Sequence, residues 1–152
     1  MDKILKDYLI EKMATLPNNL GKNSNRVKDE WIAYKEEKFS IILPDEYKWF
    51  VQQYDFIILW GEATKTIFPI EQQDEADQDI FNTYFWNLEL DKANKDKLFF
   101  LEADIGNFFF KIKNGIASDE VYFHEPFDDE YSLYAPTFLS FLKKEISHCY
   151  SK

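Results

Sequence analysis

The sequence predicts an α+β fold: N-terminal helices, a largely antiparallel sheet with a three-strand meander, and a closing C-terminal helix. Three observations lead there. Apolar residues recur at helical spacing through the first third of the chain. After Lys97 the apolar period changes to two, with turn residues between the runs. Beyond Pro136 the helical period returns, with Phe138, Leu139, Leu142 and Ile146 on one side.

Each element has its own signal. Ile4, Leu5, Tyr8, Leu9 and Met13 make residues 2–15 an amphipathic helix, which Pro17, Asn18, Asn19 and Gly21 end. A loop runs to Asn25, and residues 26–38 place Val27, Trp31 and Tyr34 along a second helix. Leu43-Pro44-Asp45-Glu46 starts a third, because proline suits a first turn and acids complement the positive end of the dipole. Its stripe is Tyr47, Phe50, Val51 and Tyr54. Residues 56–60 are apolar on both strand faces and read as a buried strand. Residues 65–70 read as a short extended segment stopped by Pro69. Residues 72–88 read as a helix with Ile80, Phe81, Tyr84, Phe85 and Leu88 in its stripe. Strands follow over residues 98–103, 107–113 and 120–125, joined at Asp104-Ile105-Gly106-Asn107 and Asn114-Gly115. In the middle strand Phe108, Phe110 and Ile112 share the core face, and Phe109, Lys111 and Lys113 the other, with one ring left exposed. An acidic loop over residues 125–131 leads to the last helix.

At 152 residues the chain reads as one domain, 1–152, with a helical opening over 1–38. Aromatics at 18% exceed what a core of this size hides, so several belong at the surface, which leaves a homodimer open. A single cysteine, Cys149, forms no internal disulfide and asks for no oxidising compartment. Charge interrupts the first residues too often for a signal peptide, and no apolar run is long enough to span a bilayer. The expectation is a cytoplasmic protein.

Charge is the strongest functional signal. Residues 1–38 hold eight Lys/Arg against seven Asp/Glu, net +1; residues 39–152 hold ten against twenty-one, net −11, giving −10 overall. Residues 62–91 carry eight acids and only Lys65, and residues 114–135 carry six acids with no lysine or arginine. Such a surface repels nucleic acid and anionic membranes and speeds association with basic partners.

Catalytic and cofactor signals are weak. His124 and His148 have no His or Cys at ligand spacing, so neither metal nor cofactor is expected. Cys149 lies in the last turn before the chain end, where a plain thiol is the better reading than a nucleophile. Glu102 and Asp104 stand at i and i+2, the spacing of a carboxylate pair, yet Asp before a Gly-Asn turn serves turn hydrogen bonds. Four glycines make no phosphate-cradling loop. Phe108-Phe109-Phe110 is similar to an RNA-stacking strand, but such platforms come with cationic side chains and this chain has one arginine, Arg26. The acids at Asp74, Glu75, Asp77 and Asp79 suit a helix N-terminus or a solvated face, or else a docking surface. Asp128, Asp129 and Glu130 lie beside Tyr131 and Tyr134, and acid mixed with tyrosine is more suggestive of an interface.

A set of short motifs carries a family resemblance. They are Leu43-Pro44-x-x-Tyr47-x-x-Phe50, Ile67-x-Pro69-Ile70, Leu98-Phe99-Phe100-Leu101, Asp104-x-Gly106-Asn107-x-Phe109, Glu120-Val121-Tyr122 and Phe138-Leu139-x-Phe141-Leu142. In this order, over residues 40–146, the chain resembles the SUKH superfamily, which comprises the yeast Smi/Knr cell-wall-synthesis regulators and bacterial immunity proteins. It looks especially similar to small Bacillus immunity proteins of the YobK kind. One departure is that Tyr54-Asp55-Phe56 runs straight on where family members commonly turn at Asn-Gly. The resemblance implies a non-catalytic α+β scaffold, an immunity protein of a toxin–antitoxin pair that binds a cognate, basic, nuclease-like toxin. The alternative is an intracellular scaffold or regulatory domain of the Smi/Knr type. Clustering of acids nominates Trp60, Glu62, Asp74, Glu75, Asp77, Asp79, Asp128, Asp129, Glu130 and Tyr131 as the contact residues.

Overall fold

Asp2 caps the first helix, α1 (Lys3–Met13), by accepting from the Leu5 N–H at 3.0 Å. The computed structural model describes residues 1–21, 27–69, 77–128 and 130–150. Leu9 and Met13 bury their side chains, while Ile4 and Tyr8 stay exposed, so the core-facing stripe is narrower than the apolar spacing suggests. α2 (Asp29–Phe39) buries Ile32 and Lys35 and stops at Ser40, whose φ of 56° is left-handed. α3 (Asp45–Tyr54) begins after Pro44 and buries Glu46, Tyr47, Phe50 and Val51.

Tyr54-Asp55-Phe56, where the resemblance departs, makes a γ-turn. Asp55 has φ 67° and ψ −69°, and the Phe56 N–H donates to the Tyr54 carbonyl at 2.7 Å. Thr66 Oγ1 donates to Asp55 Oδ1 at 2.6 Å and holds this unusual backbone in place. Residues 56–60 then form less strand than expected, only β1 (Ile58–Leu59) paired with β2 (Glu62–Ala63). Positive φ at Asp55 on one side and at Trp60 and Gly61 on the other leaves too little extended chain for more. Residues 65–69 form no strand. Lys65 N–H is drawn to the Phe100 carbonyl and Thr66 N–H to that of Gln78, so the segment has no single strand partner.

α4 runs over Ile80–Leu90 with Asp79 as its cap, so residues 77–79, expected within the helix, precede it; the expected start at residue 72 lies outside the described residues. The sheet has the order β3 (Lys97–Ala103), β4 (Gly106–Lys113), β5 (Ile116–His124) and β6 (Tyr131–Ala135), antiparallel throughout. The meander thus has a fourth strand, in residues expected to lie between an acidic loop and the last helix. α5 (Phe138–Tyr150) closes the fold and remains helical through His148 and Cys149.

The core lies between the sheet and the helices. Phe100 stacks on Phe110 with centroids 4.6 Å apart, and Phe138 of α5 meets Tyr47, Phe50, Phe100 and Phe110 within 5.7 Å. Glu46 Oε1 accepts from the Leu139 N–H at 2.9 Å, so α3 caps the start of α5. Tyr47 donates its hydroxyl to the Lys65 carbonyl at 2.7 Å; burial, then Asp79 and Asp55, hold it well above an ordinary tyrosine pKa. The family motifs around Tyr47, Phe50, Phe138 and Phe141 therefore mark one joint. No helix among the described residues is long and apolar enough to cross a membrane.

The opposite sheet face corrects one expectation. Phe109 is not an exposed ring; it is fully enclosed by Phe99 at 5.2 Å, Tyr122 at 5.6 Å and Tyr131 at 5.2 Å. Lys97 and Lys111 sit 5.5 and 5.4 Å from the Tyr131 ring and cover the cluster with their stems.

Candidate docking surface

The nominated residues separate into three places. Asp74, Glu75 and Asp129 lie outside the described residues. Asp77 is exposed, and its carbonyl accepts from Lys65 Nζ at 3.1 Å. Asp79 belongs to the interior: it is 0% exposed and pairs with the equally buried Lys35 at 3.2 Å. Asp79 Oδ1 also accepts from the N–H groups of Phe81 and Asn82, and Oδ2 from that of Phe68. With its carboxylate taken up by the fold, Asp79 is no contact residue; it is a helix cap and a core ion pair.

The second place is the β1–β2 hairpin. Trp60 and Gly61, at φ 54° and 81°, make a two-residue turn of the kind usually built from Asn-Gly. A bulky residue pays strain there. The Trp60 indole N–H donates to Glu145 Oε2 at 2.6 Å while the ring stays 37% exposed beside His148. Glu145 is fully buried, and its other oxygen accepts from the Tyr134 hydroxyl. One carboxylate thus ties Trp60 of the hairpin to Tyr134 of β6. Burial, then that hydrogen bond, pushes the Tyr134 pKa well above the ordinary value. Glu145→Ala leaves two donors without an acceptor and should cost about 3 kcal/mol. Urea unfolding with a red-shifted, more quenchable tryptophan emission is the expected result. Beside Trp60 a groove of about 380 Å³ is lined by Asn19, Gly61, His148 and Cys149 among others. Burial raises the Cys149 thiol pKa, which makes it a poorer nucleophile.

The third place is one end of the sheet. His124 pairs with both Asn107 and Tyr131, and Ala103 with Gly106. The β3–β4 turn and the β5–β6 loop are therefore neighbours. A Cβ on Gly106, at φ 138°, would stand 2.5 Å from the Phe123 ring, so only glycine lets the turn press this close to β5. The two loops bring Asp104, Glu125, Asp128 and Glu130 together with no lysine or arginine in either. No ion pair among the described residues engages these four. Two apolar side chains stand among them. Ile105 is 41% exposed, and Phe127 is fully exposed.

Phe127 is strained as well as exposed. The Asp128 N–H approaches the Glu125 carbonyl at 3.4 Å, and Pro126 and Phe127 are the central residues of that turn. Phe127 has φ +63°, a place normally filled by glycine or asparagine. Sequence reasoning nominated its acidic neighbours and missed both Phe127 and Ile105. The available signal was an aromatic between proline and three acids, in Glu125-Pro126-Phe127-Asp128-Asp129-Glu130. Tyr131, nominated with them, is half-buried against Phe109 and supports the loop from beneath.

A carboxylate pair for acid–base work is not assembled at this end. Glu102 is drawn to Lys65 Nζ at 3.4 Å and to Asn87 Nδ2 at 3.4 Å, on the α4 side. Among the described residues no three His, Cys, Asp or Glu side chains converge on a possible metal position. What the acidic end offers is protruding apolar contact among carboxylates, with Lys97 and Lys111 set over the Tyr131 ring behind them.

No curated protein matches the chain. A family model described as SMI1-KNR4 cell-wall, SUKH_6, matches residues 29–142, from α2 into α5. That span holds the α3–α5 joint and the entire sheet, and the observed α+β architecture agrees with it. The chain belongs to the SUKH (SMI1-KNR4) family.

Proposed function

We propose that this chain is a cytoplasmic immunity-type protein of the YobK kind, without catalysis, which neutralises a cognate toxin by covering a basic surface on it. The observation that carries this reading is Phe127, fully exposed and held at φ +63° beside acids that no ion pair engages among the described residues. A folded chain gains nothing from that arrangement. A backbone residue in a costly region together with a large ring in water is the signature of a contact completed by something else. The surrounding acids set the sign of that partner. A nuclease-like domain must carry cationic side chains to hold phosphates, and an acidic end speeds association with them. Family membership supports the reading at a coarser level, since SUKH proteins include immunity proteins.

The test is co-expression of this chain with the product of an adjacent toxin-type gene. Rescue of growth together with co-purification is the expected result. Capture of a host regulatory protein, with no rescue of any neighbouring toxin, would instead favour a Smi/Knr-type scaffold.

A further inference from the structure

The two edges of the sheet are treated differently. The β3 edge is covered: Lys65 N–H donates to the Phe100 carbonyl at 2.7 Å, and β2 and α4 lie against β3. At the other edge is β6. Among the described residues no backbone hydrogen bond joins Tyr131, Ser132, Leu133, Tyr134 or Ala135 to anything but β5. An edge of this kind presents a row of unpaired N–H and C=O groups, and proteins normally blunt it with lysine or proline. β6 has neither; what it carries is a bulge at Tyr134, since Val121 pairs with Ala135 and Tyr122 with Leu133. Lys144 Nζ stands 3.7 Å from the Tyr134 ring, so the open stretch of edge is Tyr131–Leu133.

A row of side chains points to the same edge. Phe99 is the register partner of Phe109, Phe109 of Tyr122, and Tyr122 of Leu133. These four lie on one face and cross all four strands. The row begins with enclosed phenylalanines and ends on Leu133, which is 55% exposed, with Ser132 exposed beside it. A fifth strand would continue the row and cover Leu133.

We propose that the outer edge of β6 is a strand-addition site, which pairs with an extended segment of a basic protein partner. The segment sets an apolar or aromatic residue beside Leu133 and cationic residues beside Glu125, Asp128 and Glu130. The sign of the partner follows from the loop at the start of β6, whose acids carry no ion pair among the described residues. A second copy of this chain is the poorer occupant, because each copy carries −10 and the two would repel. Main-chain pairing supplies affinity and the alternate side chains supply selectivity, as in other strand-addition complexes. The proposal deepens the immunity reading, and rests on it for the nature of the partner, but its test does not require the toxin.

The probe is a capped peptide, Lys-Val-Lys-Phe-Lys-Val-Lys, added to the ¹⁵N-labelled full chain. Three controls accompany it: the same peptide with glutamates for lysines, the same peptide N-methylated along one edge, and the Leu133→Lys variant. The expected result is slowed amide exchange and shift changes concentrated over residues 131–135. Binding should weaken at least tenfold with N-methylation, with glutamates and in Leu133→Lys. Shift changes elsewhere, equal binding of the N-methylated peptide, or concentration-dependent self-pairing of β6 without peptide would each overturn the proposal. Failure of toxin rescue alongside positive peptide binding would remove the immunity reading and leave the edge site standing.

Discussion

Replacing Asp79 with alanine should destabilise the fold by about 4 kcal/mol, which would make it among the most damaging single changes in the chain. The reason is the enclosure of two charges at once. Lys35 and Asp79 are each 0% exposed and 3.2 Å apart. Removing the carboxylate strands the lysine ammonium in the interior and also frees three backbone N–H groups, of Phe68, Phe81 and Asn82. The cap on α4 alone is worth about 1 kcal/mol. The double variant Lys35→Met with Asp79→Asn should recover part of the loss, because no charge is then left buried and asparagine still caps. Urea unfolding of Lys35→Met, of Asp79→Asn and of the double measures this as a coupling energy of about 2 kcal/mol. Additive losses would mean that the two side chains do not share their environment.

Phe127→Gly should have the opposite profile. Glycine accepts φ +63° freely, so stability should hold or rise by up to about 1 kcal/mol. Affinity for the partner should fall by about 2 kcal/mol or more, roughly thirtyfold, if the ring is an interface anchor. A residue kept for folding would lose stability on this change. One kept for binding would lose only affinity.

Much of the fold was legible because the core obeys simple periods. Tyr47, Phe50 and Val51 of α3, and Phe138, Leu139 and Leu142 of α5, stand at helical spacing and are all buried. The β3–β4 and β4–β5 turns announced themselves through Gly106 and Asn114-Gly115. Where reading failed, a long-range partner had overridden a local cue. Nothing in the sequence sets Lys35 apart, and Asp79 reads as one acid among several; the fold places them together across 44 positions. Phe109 reads as exposed because its strand neighbours on that face are lysines, yet the stem of Lys111, with that of Lys97 from β3, helps to roof the cluster. β6 was hidden because Tyr131-Ser132-Leu133-Tyr134-Ala135 is short and half polar, the composition of an edge strand.

The candidate site was legible in charge and illegible in shape. The acids at Asp128, Asp129 and Glu130 were visible as a run without a cation. The meeting of Asp128 and Glu130 with Asp104 and Ile105 depends on strand register. The outward setting of Phe127 depends on a turn whose usual glycine is absent.

The central claim, that the acidic end of the sheet docks a basic toxin, is tested most directly by association kinetics. The toxin-type neighbour is the partner, at low and at moderate salt. The chains are the wild type, Phe127→Gly, and a variant with Asp128, Asp129 and Glu130 neutralised. The account predicts fast, salt-sensitive association for the wild type. It predicts at least tenfold slower, salt-insensitive association for the neutralised loop, and at least tenfold faster dissociation for Phe127→Gly. Wild-type kinetics in both variants, at both salt concentrations, would contradict it.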